Sequence, residues 1–167
     1  MQDPAVYKNY FENYTSLVPE KDAVSALEKQ IQALSYFFNS VSVEKAMYAY
    51  AEGKWTMKEM LQHMIDTERI FAYRALCISR KEEAILPGFD ENVYATNSLA
   101  NRRSWADLTH EMKVVRESTM LLFQSFTQEM LSSTGYFSVA NGDVNTLGLI
   151  IAGHFYHHVN ITNERYL

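Results

Sequence analysis

The chain carries five histidines, at positions 63, 110, 154, 157 and 158. His154 and His158 stand four residues apart, which on a helix puts both imidazoles on one face, close enough to share one ion. Leu147, Ile151, His154, His158 and Ile161 continue a single three-four spacing. Both rings therefore stand where core leucines would otherwise sit. A buried imidazole needs hydrogen-bond partners for both nitrogens, or a metal on one of them. The pair thus has two readings: half of a metal site, or two core histidines satisfied by their surroundings. A metal needs a third ligand, and His63 is the best candidate. It lies on the flank of its own helix's apolar stripe, a position that can face a neighbouring helix. His110 falls between Leu108 and Met112 and should point outward, and His157 is one residue off the core stripe. Both are read as exposed, or as neighbours of the ligands. Three imidazoles suit one divalent ion, zinc or nickel first, and leave a coordination position open. Phe155 follows His154, so the glutamate of an HExxH protease is missing from its place.

Other residues could support such a site. Glu68 occupies an inward position between Met64 and Phe71. It is a candidate catalytic base or a hydrogen-bond acceptor near the metal. The competing reading is a buried carboxylate paired with an arginine or tyrosine. Glu59 lies one turn before His63, but a capping role already explains it. Asp90 and Glu91 would reach the site only if their loop folds over it. Tyr48, Tyr50 and Trp55 could line a pocket mouth or pack at the end of the fold. Cys77, the single cysteine, has no cation or helix start near it in sequence and reads as an inert buried thiol.

Four amphipathic helices must position these residues. Residues 20–41 carry a stripe of Val24, Leu27, Ile31, Leu34, Phe38 and Val41. Residues 56–79 open on Thr56 and Glu59, a capping-box pair. Residues 104–130 carry Trp105, Leu108, Met112, Val115, Thr119, Leu122 and Phe126, and residues 146–166 follow, with Thr146 as N-cap. Helices of about 20 residues run ~30 Å each, and four of matched length predict an all-α four-helix bundle. The link across residues 80–103 is far longer than the ~12–15 residues of an ordinary connection. It predicts a crossover loop between the second and third helices that spans one end of the bundle, serves as a lid, or does both. Residues 135–145, with Asn141-Gly142-Asp143, predict a turn.

A length of 167 residues fits one domain, residues 1–167. Only three prolines and six glycines occur, which suits long helices. The formal net charge is −5 and the only run of adjacent arginines is Arg102-Arg103, so no phosphate-neutralising stripe exists and nucleic-acid binding is not expected. Met1 to Tyr14 has no apolar signal-peptide core, and residues 144–163, though uncharged, are too rich in His and Asn to span a membrane. One cysteine permits no intrachain disulfide and accords with a reducing cytoplasm.

Two sequence blocks carry a family likeness. One is Lys54-Trp55-Thr56 with Glu59, His63, Asp66 and Glu68; the other is His154-Phe155-Tyr156-His157-His158. A softer block is Pro87-Gly88-Phe89-Asp90-Glu91. From about residue 54 to the end the chain resembles the DinB-like superfamily, whose members include thiol S-transferases of the bacillithiol type. The first helix matches only in pattern. The resemblance implies a four-helix bundle with one metal held by three histidines, which here are His63, His154 and His158. It implies a transferase using low-molecular-weight thiols on an electrophilic substrate. A metal-dependent hydrolase and a non-enzymatic, metal-stabilised bundle are the alternatives. It also leans towards a homodimer, as does the aromatic surplus.

Overall fold

The computed structural model describes residues 11–137 and 140–167. The signal-peptide reading of the N-terminal tract falls, up to residue 10, outside them, as do residues 138–139 of the expected turn. Four long helices form the body: α1 (Ala23–Ser40), α2 (Met57–Ser79), α4 (Trp105–Gln124) and α6 (Val144–Arg165). Two short helices, α3 (Glu91–Ser98) and α5 (Gln128–Leu131), lie between them, with a hairpin of β1 (Thr134–Phe137) and β2 (Ala140–Asp143).

Each long helix begins on a side chain that accepts an orphan backbone amide. Asp22 accepts from Ser25 and Ser104 from Asp107. Thr56 and Glu59 form the full capping box the sequence predicts. In α6 the cap is Asp143, not Thr146, whose own amide donates to Asp143 Oδ1 at 2.6 Å. The carboxylate displaces the hydroxyl because the helix must start early enough to bury Val144, which is fully inaccessible.

α2 packs on α4 and α6, and α1 packs on the same two, so the consecutive helices α1 and α2 stand on a diagonal. Contacts at the ends fix the directions. Ala23 N donates to Asn145 Oδ1 at 2.9 Å, so α1 and α6 start together. Thr56 Oγ1 donates to Asn101 Oδ1 at 2.8 Å, so α2 and α4 start together at the opposite end. There the Trp105 indole donates to Phe38 O and the Tyr166 hydroxyl to Trp55 O. Because α2 and α4 are parallel neighbours, the chain must return the whole length of α2, ~35 Å at 1.5 Å per residue, before α4 can begin. That is why the link is so long. It runs from one end of the bundle to the other and does not span a single end, and it is not the unbroken loop the sequence suggests: it holds α3, capped by Asp90, and a 3₁₀ turn at Ala100–Arg102.

Two further expectations are corrected. The third long helix ends at Gln124, not near 130. Thr127 caps the separate turn α5, and the break lets Phe126 bury against Phe123, ring centroids 5.4 Å apart. Residues 135–145 are not a simple turn. Thr134 pairs with Asp143 and Phe137 with Ala140 in an antiparallel ladder that leads into α6. The close approach of the hairpin to α2 needs Gly135, since a Cβ there would stand 2.8 Å from Ile78.

The apolar core falls into two clusters, one near each end of the bundle. Between them lies a buried polar layer with one member from each long helix. Arg116 on α4 donates to both Glu68 oxygens on α2, each at 2.8 Å, and to Gln30 Oε1 on α1. Gln30 Nε2 donates to the Ala152 carbonyl of α6 at 2.7 Å. His154 follows two residues later, so this layer sets the register of the helix that carries two of the candidate ligands.

Candidate metal centre and its cavity

His63 comes from α2, and His154 and His158 from its antiparallel neighbour α6. The Nε2 atoms of His63 and His154 are 3.0 Å apart, and those of His158 and His154 are 3.1 Å apart. All three donor atoms lie within 4.8 Å of one another. A tetrahedral zinc ion with Zn–N bonds of about 2.05 Å sets its nitrogens ~3.3 Å apart, so the spacing fits a shared first-row cation.

The chemistry of the donor set agrees. All three rings are buried. A neutral imidazole nitrogen carries one proton or one in-plane lone pair. His154 Nε2 faces two other ring nitrogens and cannot satisfy both with one proton; a cation satisfies all three. Burial lowers the pKa of His63 to about 4, with His157 adding to the effect. Burial, then the neighbouring rings, holds His154 and His158 well below the usual range. Each ring is therefore in the neutral form that binds metal.

The rings are held mainly by packing. The Trp55 ring lies 4.8 Å from His63, and Tyr14 stands edge-on to His154 and His157 at 5.5 and 5.3 Å. Gly153 admits this cover: a Cβ there would be 2.1 Å from the Tyr14 carbonyl oxygen. Thr67 Oγ1 is 3.5 Å from His63 Nδ1. Among the described residues His158 Nδ1 has no hydrogen-bond partner, so packing fixes that ring without an orienting acceptor there.

The three histidines line a cavity of about 650 Å³. Its wall includes Trp55, Glu68, Phe71, Phe89 and Glu91, which the sequence marks, and Arg74, which it does not. Glu68 lines the cavity, but both its oxygens are engaged by Arg116. Glu59 is spent on the capping box. Asp90 caps α3. Tyr48 and Tyr50 pack instead on Tyr166 at the end of the bundle, at 6.1 and 5.1 Å. His110 is exposed, and His157 is half-buried and lines the cavity. Cys77 is half-buried. Arg74 escapes a stripe-based reading because it lies beside the apolar positions Phe71, Ala75 and Ile78; the faint signal is a cation on the inward side of a helix.

Known proteins share this architecture. A protein of Oceanobacillus iheyensis, provisionally named a metal-dependent hydrolase, is 23% identical over 151 residues, which cover 85% of this chain and 86% of that protein. The solved structure of YfiT from Bacillus subtilis superposes with a TM-score of 0.75 at 14% identity, covering 85% of this chain and 82% of YfiT. YfiT is described as a probable metal-dependent hydrolase with an unusual four-helix bundle topology. Among the described residues no helix is long and apolar enough to cross a membrane. The sequence profile of the DinB superfamily matches residues 26–161, and the chain belongs to that superfamily.

Proposed function

We propose that the protein is a metal-dependent transferase in which a low-molecular-weight thiol attacks an electrophilic substrate. The observation that carries this reading is the convergence of three neutral Nε2 donors on the wall of a cavity of about 650 Å³. Three histidines leave a divalent ion, zinc or nickel, one open position. A thiol bound there loses its proton more readily and becomes a nucleophile. The cavity has the size of a small-molecule site that takes an organic nucleophile together with its partner. Trp55 and Tyr14 keep the histidines out of bulk water and in place. Glu68, with both oxygens on Arg116, supports the helix register.

The second reading is hydrolysis by metal-activated water, and the names of the two relatives favour it. One experiment separates the readings. Protein loaded with zinc or nickel is incubated with a chromogenic electrophile, with and without glutathione or cysteine, and separately with ester substrates. Thiol-dependent turnover that disappears on chelation and in His154→Ala, together with the bound metal, is expected. Turnover without thiol would establish the hydrolase. Absence of both, with metal bound and a melting temperature that falls on chelation, would leave a metal-stabilised bundle.

A further inference from the structure

Two arginines lie buried against the cavity, and they differ in one respect. Arg116 is neutralised by Glu68 at two points. Arg74 is only 4% exposed and has no carboxylate partner among the described residues. Its Nη2 donates to the Pro87 carbonyl at 2.8 Å, and its Nε is buried with no hydrogen-bond partner among the described residues. The guanidinium carbon stands 4.9 Å from the Phe71 ring centre and 6.0 Å from that of Phe89. Two aromatic rings and one carbonyl thus hold a rigid cationic fork at the cavity wall. A buried, unpaired charge costs stability, and one contact to a carbonyl does not require a guanidinium.

We infer that Arg74 is the anion-recognising residue of this cavity, and that the ligand carries a carboxylate or phosphate which the guanidinium grips while its reacting atom lies at the histidines. Planar guanidinium binds either oxyanion through paired hydrogen bonds. Arg74 stands eleven residues after His63 on α2, ~16 Å along the helix axis, and its chain tilts back toward the helix start. A ligand touching both is therefore extended, about the size of a di- or tripeptide, and acetate or free phosphate would reach only one end. The inference rests on the proposed thiol chemistry for the identity of the reacting atom, but not for the anion.

Calorimetric titration of the metal-loaded protein tests it with matched probes: N-acetylglutathione against its diethyl ester, and pantetheine 4′-phosphate against pantetheine. One anionic form should bind at least tenfold more tightly than its neutral partner, and which pair shows the preference identifies carboxylate or phosphate. Arg74→Met should erase that preference, leave the neutral partner's affinity and the metal content unchanged, and keep or raise the melting temperature, as expected when an unpaired buried charge is removed. Arg74→Lys should retain part of the preference. Should R74M fail to fold, R74K and Arg74→Gln carry the same comparison. S-methylglutathione separates the two hypotheses: Arg74-dependent binding that survives S-methylation supports the anion site even if no thiol chemistry occurs. Equal affinity for charged and neutral partners, or a preference unchanged in the variants, overturns the inference, and thiol-dependent turnover that persists would leave the transferase reading intact.

Discussion

Glu68→Gln is the most revealing single change to this bundle. The side chain is 3% exposed and Arg116 2% exposed, joined by two hydrogen bonds of 2.8 Å. The amide keeps the shape and one acceptor, but it leaves the guanidinium charge buried and uncompensated. Breaking one partner of a buried pair costs about 3–5 kcal/mol. Gln30 Oε1 still accepts from Arg116 Nη1, which places the expected loss near the lower bound, about 3 kcal/mol. For a chain of this length each kcal/mol moves the melting temperature by about 2–4 °C, so a fall of about 6–12 °C is expected. Urea unfolding followed by circular dichroism should show a lower midpoint at unchanged slope. Removing both charges, as Glu68→Met with Arg116→Met, should cost less than the sum of the singles, since no buried charge remains. Gln30 would lose a donor, worth about 1–3 kcal/mol, so recovery will be incomplete. Metal content should not change, because no candidate ligand is touched. A Glu68→Gln protein melting within 2 °C of the parent, or a double variant less stable than the singles combined, would refute the view that this pair holds the four helices in register.

Two more outcomes follow from the same geometry. In metal-free protein the histidine pKa values are lowered by burial, His63 to about 4, so between pH ~6.5 and ~4 the unfolded chain binds more protons than the folded one. Stability should therefore be complete above ~6.5 and drain away as pH falls through this window, by about 3 kcal/mol from His63 alone; denaturation midpoints of the parent and His63→Asn should diverge in slope there, and parallel curves would contradict it. Gly153→Ala drives a methyl to 2.1 Å from the Tyr14 carbonyl and must push residues 11–18 off α6. A loss of about 1–3 kcal/mol is expected, read as a lower melting temperature, and a neutral result would mean that this segment is not seated as described.

Much of the site was legible because helix geometry is local. The four-residue step from His154 to His158 places two rings on one face, and their place on the apolar stripe turns them inward, whatever surrounds them. The capping box of Thr56 and Glu59 is equally local, as is the amphipathic pattern that makes four helices of matched length. The length of the link over residues 80–103 already announced a crossover. The sequence by itself could not choose between a lid, a loop and a short helix within it, because α3 is held by an aspartate cap and by tertiary contact with α2. The hairpin that replaces the expected turn at 135–145 is hidden from the sequence for the same reason: four-residue strands carry too little pattern, and their pairing is a contact between separate segments.

The tertiary structure alone decided the rest. His63 becomes a partner of His154 only because α2 and α6 run antiparallel side by side, an arrangement set by the diagonal placement of α1 and α2. Glu68 could be read from sequence as base or as ion-pair partner; Arg116, 48 residues away, settled which contact it makes. Arg74 carries only a faint sequence signal, since an arginine beside an apolar stripe ordinarily reaches water. Its burial without a counter-charge among the described residues exists only after Phe71, Phe89 and Pro87 have closed around it. Periodicity specifies which face of a helix turns inward, but what that face meets is fixed by partners distant in the chain.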